Sequence, residues 1–211
     1  MTTRPRAQRI KAKAGYHHGD LRRQLVLAAW RLIDRHGVDG FRLADAAALA
    51  GVSAAAPYRH FQDRDALLLA VSDEGFERLG AQLGEAARAH ADGSVDAICA
   101  TGVAYIAFAR GQPHLFRVMF SDHADTSGQE AGEPTAAGAA AYAVLVRQVA
   151  ASLSLEADAP ATLGTALSLW MLVHGFASLL IDEQLGVGRL EIDIEAMVRA
   201  NTRQMLGAFT N

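Results

Sequence analysis

Between Asp20 and Phe209 the apolar residues recur at three- and four-residue spacing, and no run bounded by turns alternates apolar with polar residues as a half-buried strand would. That pattern confines the chain to helices, and the capping and breaking residues divide it. Asp20 is placed to cap a first helix carrying Leu21, Leu25, Leu27, Ala28, Leu32 and Ile33, which closes at His36-Gly37. A short second helix, Leu43 to Ala50, is closed by Gly51, and Ser53 can cap a third. Asp63 can cap a long fourth helix through Leu67, Leu68, Val71, Phe76, Leu79 and Leu83. Ser94 starts a fifth and Pro113 opens a sixth at its first turn, where a missing N–H costs least. A polar, Gly-containing loop follows over residues 121–135, then a seventh helix over about 136–153, an eighth opened by Pro160, and a ninth from Asp193 to Phe209.

The chain has 211 residues, 51% of them hydrophobic and 20% charged, enough apolar mass for a core. Its net charge of −3 points to no partner, but the distribution does. Residues 1–64 hold twelve Lys or Arg against five Asp or Glu, and the remainder eight against eighteen. A basic head on an acidic body suits a large anion, nucleic acid first and a membrane surface second. Cys99 is the only cysteine, so no intrachain disulfide can form; between Ile98 and Ala100 it reads as a buried, inert thiol, consistent with a reducing cytoplasm. No apolar stretch follows the basic N-terminus, which therefore does not read as a secretory signal. The segment 163–181 approaches the length of a membrane span. It contains Thr165, Ser168, His174 and Ser178, and lacks an orienting Lys/Arg flank, so it reads as a helix buried over most of its circumference.

The stretch "GVSAAAPYRHF", Gly51 to Phe61, sets a glycine turn before three alanines and a proline. Ala47 stands four residues before Gly51, where only a small side chain permits close crossing. A short helix, a glycine turn and a second short helix form the helix-turn-helix pattern, whose second helix enters the DNA major groove. The alanines would let that helix approach the bases. Pro57 falls at the fourth helical position, removes one bond to Ser53 and disfavours helical geometry at Ala56, so the first turn is expected to be irregular. From spacing alone an ordinary turn before the next helix is an equal reading.

The segment "YHHGDLRRQLVLAAWRLIDRHGVDGFRLADAAALAGVSAAAPYRHFQDRDALL" resembles the DNA-binding head of the TetR family of bacterial transcription regulators. "YIAFARGQPHLFRVMF" and "LWMLVHGFASLL" resemble the sensor domain of a branch of that family named for a Trp, His, Gly motif. The resemblance implies an all-α, nine-helix homodimer with an N-terminal three-helix helix-turn-helix head and a C-terminal helical ligand-binding and dimerisation domain. It divides the chain into a basic arm expected to be disordered (1–18), a head (19–64) and a body (65–211), whose last two helices pair across the two-fold.

Carried over by position, Ser53, Tyr58, His60 and Arg64 match positions that touch phosphates, and all four side chains donate to phosphate oxygens. Ala54, Ala55, Ala56 and Arg59 match positions facing bases, and Arg59 alone can pair with guanine in two bonds. Two positions depart from the family. Arg42 replaces the usual Ser or Thr, giving a weak cap but a possible phosphate contact, and Ala44 replaces a frequent arginine. Direct base readout is therefore expected to be sparse. Arg4, Arg6, Arg9, Lys11 and Lys13 could compensate from the adjacent minor groove; a nonspecific, solubilising tail is the other reading.

For the ligand the candidates are Tyr105, Phe108, Phe116, Met119, Phe120, Trp170, Met171 and His174, many of which would equally serve as core. Trp170 and His174 share a helix face, and His174 needs a partner that is either protein or ligand. Gly175 beside it suggests close helix packing. Metal binding is not expected: His17 and His18 are adjacent and project apart, and Asp20 does not complete a site. No cofactor and no catalytic constellation is evident, which argues against an enzyme. The implied function is a ligand-responsive regulator, a repressor released from a pseudo-palindromic operator by a small hydrophobic molecule. A ligand-responsive activator and a membrane-surface adaptor using the basic arm are the alternatives.

Overall fold

The computed structural model describes residues 21–121, 134–182 and 192–207. Among these there are eight α-helices, one 3-10 turn and no strand. The helices are α1 (Leu21–His36), α2 (Leu43–Leu49), α3 (Arg64–Arg88), α4 (Val95–Gly111), α5 (Pro113–Met119), α6 (Ala136–Leu153), α7 (Pro160–Ile181) and α8 (Ile194–Gly207). The 3-10 turn Pro57–Arg59 stands where the third of nine helices was expected. The physical reason is Pro57: it has no N–H to give to Ser53, and the chain closes with short turns instead, Ala56 N to Ser53 O at 2.9 Å and Arg59 N to Ala56 O at 3.2 Å. Ser53 does not cap this element; Ala56 precedes it, in helical geometry despite the proline that follows.

The other expected boundaries hold where they are described. Asp63 accepts from Ala66 N, Ser94 from Ala97 N and Asp193 from Ala196 N, each at 2.8–3.0 Å. Pro113 and Pro160 open α5 and α7. Gly37 ends α1 at φ 72°, its N–H bonded to Ile33 O, and Gly51 turns at φ 72° after α2. The Asp20 cap, the basic arm and most of the 121–135 loop lie outside the described residues.

Helix α3 starts in the head and ends in the body. Its twenty-five residues cover about 37 Å at 1.5 Å each. One apolar cluster runs along it, from Leu25, Ile33, Phe41 and Phe61 in the head through Leu67, Leu68 and Val71 to Ile106 and Phe116 in the body. A second cluster joins α4, α6, α7 and α8 through Ile98, Val149, Leu169 and Leu206. Helix α4 is central, touching α3, α5, α6, α7 and α8. Cys99 on α4 is buried, as expected, and burial pushes its thiol up. Gly75 of α3 lies so close to α5 that an added Cβ would fall 2.7 Å from Met119 Sδ, and Ser72 Oγ donates to Met119 O at 3.4 Å.

The turn between α3 and α4 is equally tight. Gly93 adopts φ 70°, its N–H donates to Gln148 Oε1 at 2.9 Å, and Gln148 Nε2 donates to Asp92 Oδ1 at 2.6 Å. A Cβ there would stand 2.7 Å from the backbone of Ala151 and Ser152 on α6. Gly93→Ala is therefore expected to combine left-handed strain with overpacking and to lower unfolding free energy by about 2–4 kcal/mol in a chemical denaturation series.

Candidate DNA interface and ligand cavity

The head presents a polar tip on an alanine-lined turn. Ser53, Ala54, Ala55, Tyr58, Arg59 and His60 are exposed, whereas Ala56 is half-buried and Pro57 buried. Tyr58, at 63% exposure, is a large aromatic with little packing of its own. Buried Pro57 and Phe61 anchor the tip on either side, and His60 N and Phe61 N both bond to Pro57 O at 2.9 Å. Ala47, wholly buried, sits beneath the turn and accepts from Val52 N at 2.9 Å, the close crossing its size was expected to allow. Arg42 precedes α2 in extended geometry with no side-chain cap bond, and is exposed.

Arg64 has a second role that spacing did not reveal. Its Nη2 donates to Val38 O at 2.6 Å and its Nε to Phe41 O at 3.3 Å, while its guanidinium lies 5.9 Å from the Phe41 ring centre. The residue ties the α1–α2 loop to the start of α3, so the phosphate contact expected of it competes with internal bonds. Arg22 over Phe61 and Arg78 over Trp30 make similar contacts, at 5.2 and 4.4 Å. The arm residues Arg4, Arg6, Arg9, Lys11 and Lys13 lie outside the described residues.

The body holds a cavity of about 900 Å³ that opens to the surface beside exposed Leu163 and Leu167. Of the eight ligand candidates, Tyr105, Met119, Phe120 and Trp170 line it. The other four do not. Phe108 and Phe116 are buried in the main core, where their size fills space between helices. Met171 points outward at 56% exposure, because it is one residue past the face that Trp170 occupies. His174 stands behind the wall: its Nδ1 is 2.8 Å from Tyr105 Oη, and its ring packs between Phe116, Phe120 and Trp170 at centroid distances of 5.6, 4.6 and 5.4 Å. The partner that His174 needed is thus a protein hydroxyl. Gly175 faces open space, contrary to the close packing expected of it.

Residues not named as ligand candidates complete the wall. Leu69, Ser72, Phe76, Leu79 and Leu83 come from α3, Thr101 and Gly102 from α4, Tyr142 and Leu145 from α6, and Val198 and Thr202 from α8. Their signal was faint, since leucine and threonine at helical spacing look like ordinary packing. No group of three or more His, Cys, Asp or Glu able to hold a metal occurs among the described residues.

Two apolar clusters, a helix-turn-helix head with an exposed polar tip and a body with a lined cavity define an all-helical, two-part architecture. Residues 25–71 match the family described as bacterial regulatory proteins, tetR family, and residues 98–205 match the tetracyclin repressor-like C-terminal domain. The chain belongs to the TetR family of transcription regulators. A protein with unknown function from Rhodococcus sp. RHA1 is 30% identical, with a TM-score of 0.72 over 94% of this chain and 100% of its own. A TetR-family transcriptional regulator from Streptomyces coelicolor is similar in fold at 17% identity and TM-score 0.64, over 90% of this chain and 99% of its own. A TetR transcriptional regulator from Rhodococcus sp. RHA1 is likewise similar in fold at 18% identity and TM-score 0.62, over 90% and 98%. No curated protein matches the sequence significantly.

Burial holds the Tyr105 phenol protonated and depresses the His174 imidazole below its ordinary value, so the phenol can donate to a neutral ring. The native state then binds fewer protons than the unfolded one as pH falls. Stability from this pair is whole above about pH 6.5 and is lost as the pH drops below it. The thermal midpoint of the native chain is expected to fall between about pH 7.5 and 5.5, and to fall less in His174→Gln, which cannot be protonated.

Proposed function

We propose that this chain is a cytoplasmic repressor that binds a pseudo-palindromic operator as a homodimer and is released when a small, mostly hydrophobic ligand fills the body cavity. The observation that carries the reading is the course of α3. Its first residue, Arg64, fastens the DNA-binding head, and five of its later residues line the cavity. A ligand pressing on Phe76 or Leu79 acts on the same rigid element that orients the head. It would bind best to the form in which the two heads of a dimer no longer match successive major grooves, and shift the population there. Turning a 99:1 balance over to 1:99 needs about a 10⁴-fold preference for that form.

The division into arm, head and body follows this reading, with the head handing over to the body inside α3. Exposed Leu163, Leu167 and Met171 give α7 an outer apolar stripe suited to a two-fold pairing, in which Leu179, Met197 and Met205 would take part. Ser53, Tyr58, His60, Arg42 and Arg64 would hold phosphates, Ala54, Ala55 and Ala56 would lie against bases, and Arg59 would read a guanine. The arm would follow the backbone or enter the minor groove.

The direct test is sequencing of DNA fragments selected by the purified protein, which returns the site and its symmetry together. A two-fold site with half-sites about one helical turn apart is expected. Selection of no preferred sequence, or a stable monomer by sedimentation at micromolar concentration, would overturn the reading. On the selected site Arg59→Ala should cost about 1–3 kcal/mol per half-site and relax preference at one base position, measured by titration against operator variants. Trp170→Ala should weaken release by ligand while leaving operator affinity largely intact.

A further inference from the structure

The cavity opens beside Leu163 and Leu167, which line it from α7 and are 43% and 45% exposed. An apolar ligand in a space open to water on one side stays partly hydrated there. The mouth is therefore where binding gains most from a further apolar group, and the outer face of α7 supplies one.

At about 100° a residue, Leu167, Met171, Gly164 and Gly175 fall within about 80° of one another on α7. They lie opposite the buried Ala166, Leu169, Val173 and Ala177. Projecting and empty positions share this sector. Leu167 and Met171 project, and Met171, at 56%, is the most exposed large apolar side chain of the body among the described residues. Gly164 and Gly175 are notches, since an added Cβ at either meets nothing within 4 Å. Gly164 follows Leu163 directly and stands one turn before Leu167, so a side chain seated in its notch stands at the cavity mouth.

No Asp, Glu, Lys or Arg occurs on α7 from Pro160 to Ile181, so this face can lie against its own copy without meeting like charge. A parallel two-fold would set Met171 on Met171 and leave notch facing notch. An antiparallel two-fold pairs each projection with a notch. With Met171 of one copy at Gly164 of the other, symmetry supplies the reciprocal contact and brings Leu167 beside the axis. Methionine suits such a seat, because its unbranched chain follows an irregular gap. Met171 does not line the cavity of its own chain, so it reaches a cavity only across the pair.

We propose that a second copy of this chain completes the cavity: α7 pairs antiparallel with α7 of the partner subunit, and Met171 of the partner subunit fills the notch at Gly164 and closes the mouth beside Leu163 and Leu167. The proposal rests on the reading of the chain as a homodimer with an effector cavity, and adds that neither copy holds the whole site alone. Two measurements on the full-length chain test it. Gly164→Cys combined with Met171→Cys reports the register. Seven residues apart on one helix, the two positions are separated by about 10 Å, beyond the reach of a disulfide within one chain. Buried Cys99 does not compete. Titration with the fluorescent probe pyrene reports the site.

The double variant should form a covalent dimer on oxidation, and neither single variant should. Met171→Glu should sediment as a monomer at micromolar concentration and bind pyrene at least about ten-fold more weakly than the native chain, as expected when one buried methionine gives way to water. Met171→Leu should keep both properties. Gly164→Leu fills the notch at no cost to a single copy, since its added Cβ meets nothing within 4 Å, and should weaken dimer and pyrene binding together. A single variant that links as readily as the double one overturns the proposal. So does a folded, monomeric Met171→Glu that binds pyrene as tightly as the native chain. If the native chain is dimeric and binds pyrene, but the double variant stays unlinked or Met171→Glu stays dimeric, the proposed function stands and only the shared site falls. If the folded native chain is a monomer or binds no pyrene, the functional reading falls and the proposal with it.

Discussion

Helix α3 has to satisfy three sets of neighbours without a break. At its start Arg64 holds two loop carbonyls of the head. At its middle Gly75 leaves room for Met119, the last residue of α5, which also lines the cavity. Beyond that, Gly80 lies against Ala141 of α6, where an added Cβ would be 3.3 Å from the Ala141 Cα. A larger side chain at either glycine would push a neighbouring helix away and move the cavity wall with respect to the head. The glycines weaken the helix intrinsically by about 1 kcal/mol each, a cost that tertiary packing has to offset. On the proposed reading rigidity here matters more than propensity, because a helix that bent at its middle would absorb the force of a ligand rather than carry it.

Much of this was legible in the sequence because short-range signals fix it. Cap residues such as Asp63 and Ser94, and prolines such as Pro113 and Pro160, act on bonds within one turn of themselves, so the helix boundaries could be read directly. The glycine turn at Gly51 with Ala47 beneath it was legible for the same reason. What was not legible depends on distant partners. Nothing near Arg64 in sequence announces Val38 or Phe41 as acceptors, twenty-six and twenty-three residues away. His174 was visible as a polar group in need of a partner, but Tyr105, sixty-nine residues away, could be found only in three dimensions. Periodicity placed Trp170 and His174 on one face without saying that one lines the cavity and the other stands behind it.

Arg64 also shows why functional and structural roles should be separated before an interface is assigned. Its position matches phosphate-binding residues of the family, and its chemistry suits that role. Yet its internal bonds hold two carbonyls of the α1–α2 loop. On the proposed reading, loss of its side chain would reduce DNA affinity by two routes, one electrostatic and salt-dependent, the other through a loosened head that salt does not affect. Only the first would appear as a flatter salt dependence, and only the second as a lower thermal midpoint in the absence of DNA.

Helix α7 carries the remaining tension in the structure. Along with α6 it is long and apolar enough to cross a membrane by length and composition. One face is satisfied: Thr162, Thr165, Ala166, Leu169, Val173 and Ala177 are buried against the rest of the body. Leu163, Leu167 and Met171 recur every fourth residue on the outside, with the open position of Gly164 beside them. A bilayer would favour an apolar circumference, but this helix is two-sided, with threonines turned inward and an exposed stripe only a few residues wide. Such a stripe fits a single packed helix better than a surrounding lipid shell. Because Leu163 and Leu167 also line the cavity, a helix laid along that stripe would stand directly over the ligand space. In a family whose members act as dimers, occupancy of the cavity and the fit between two copies would then be felt by the same few side chains.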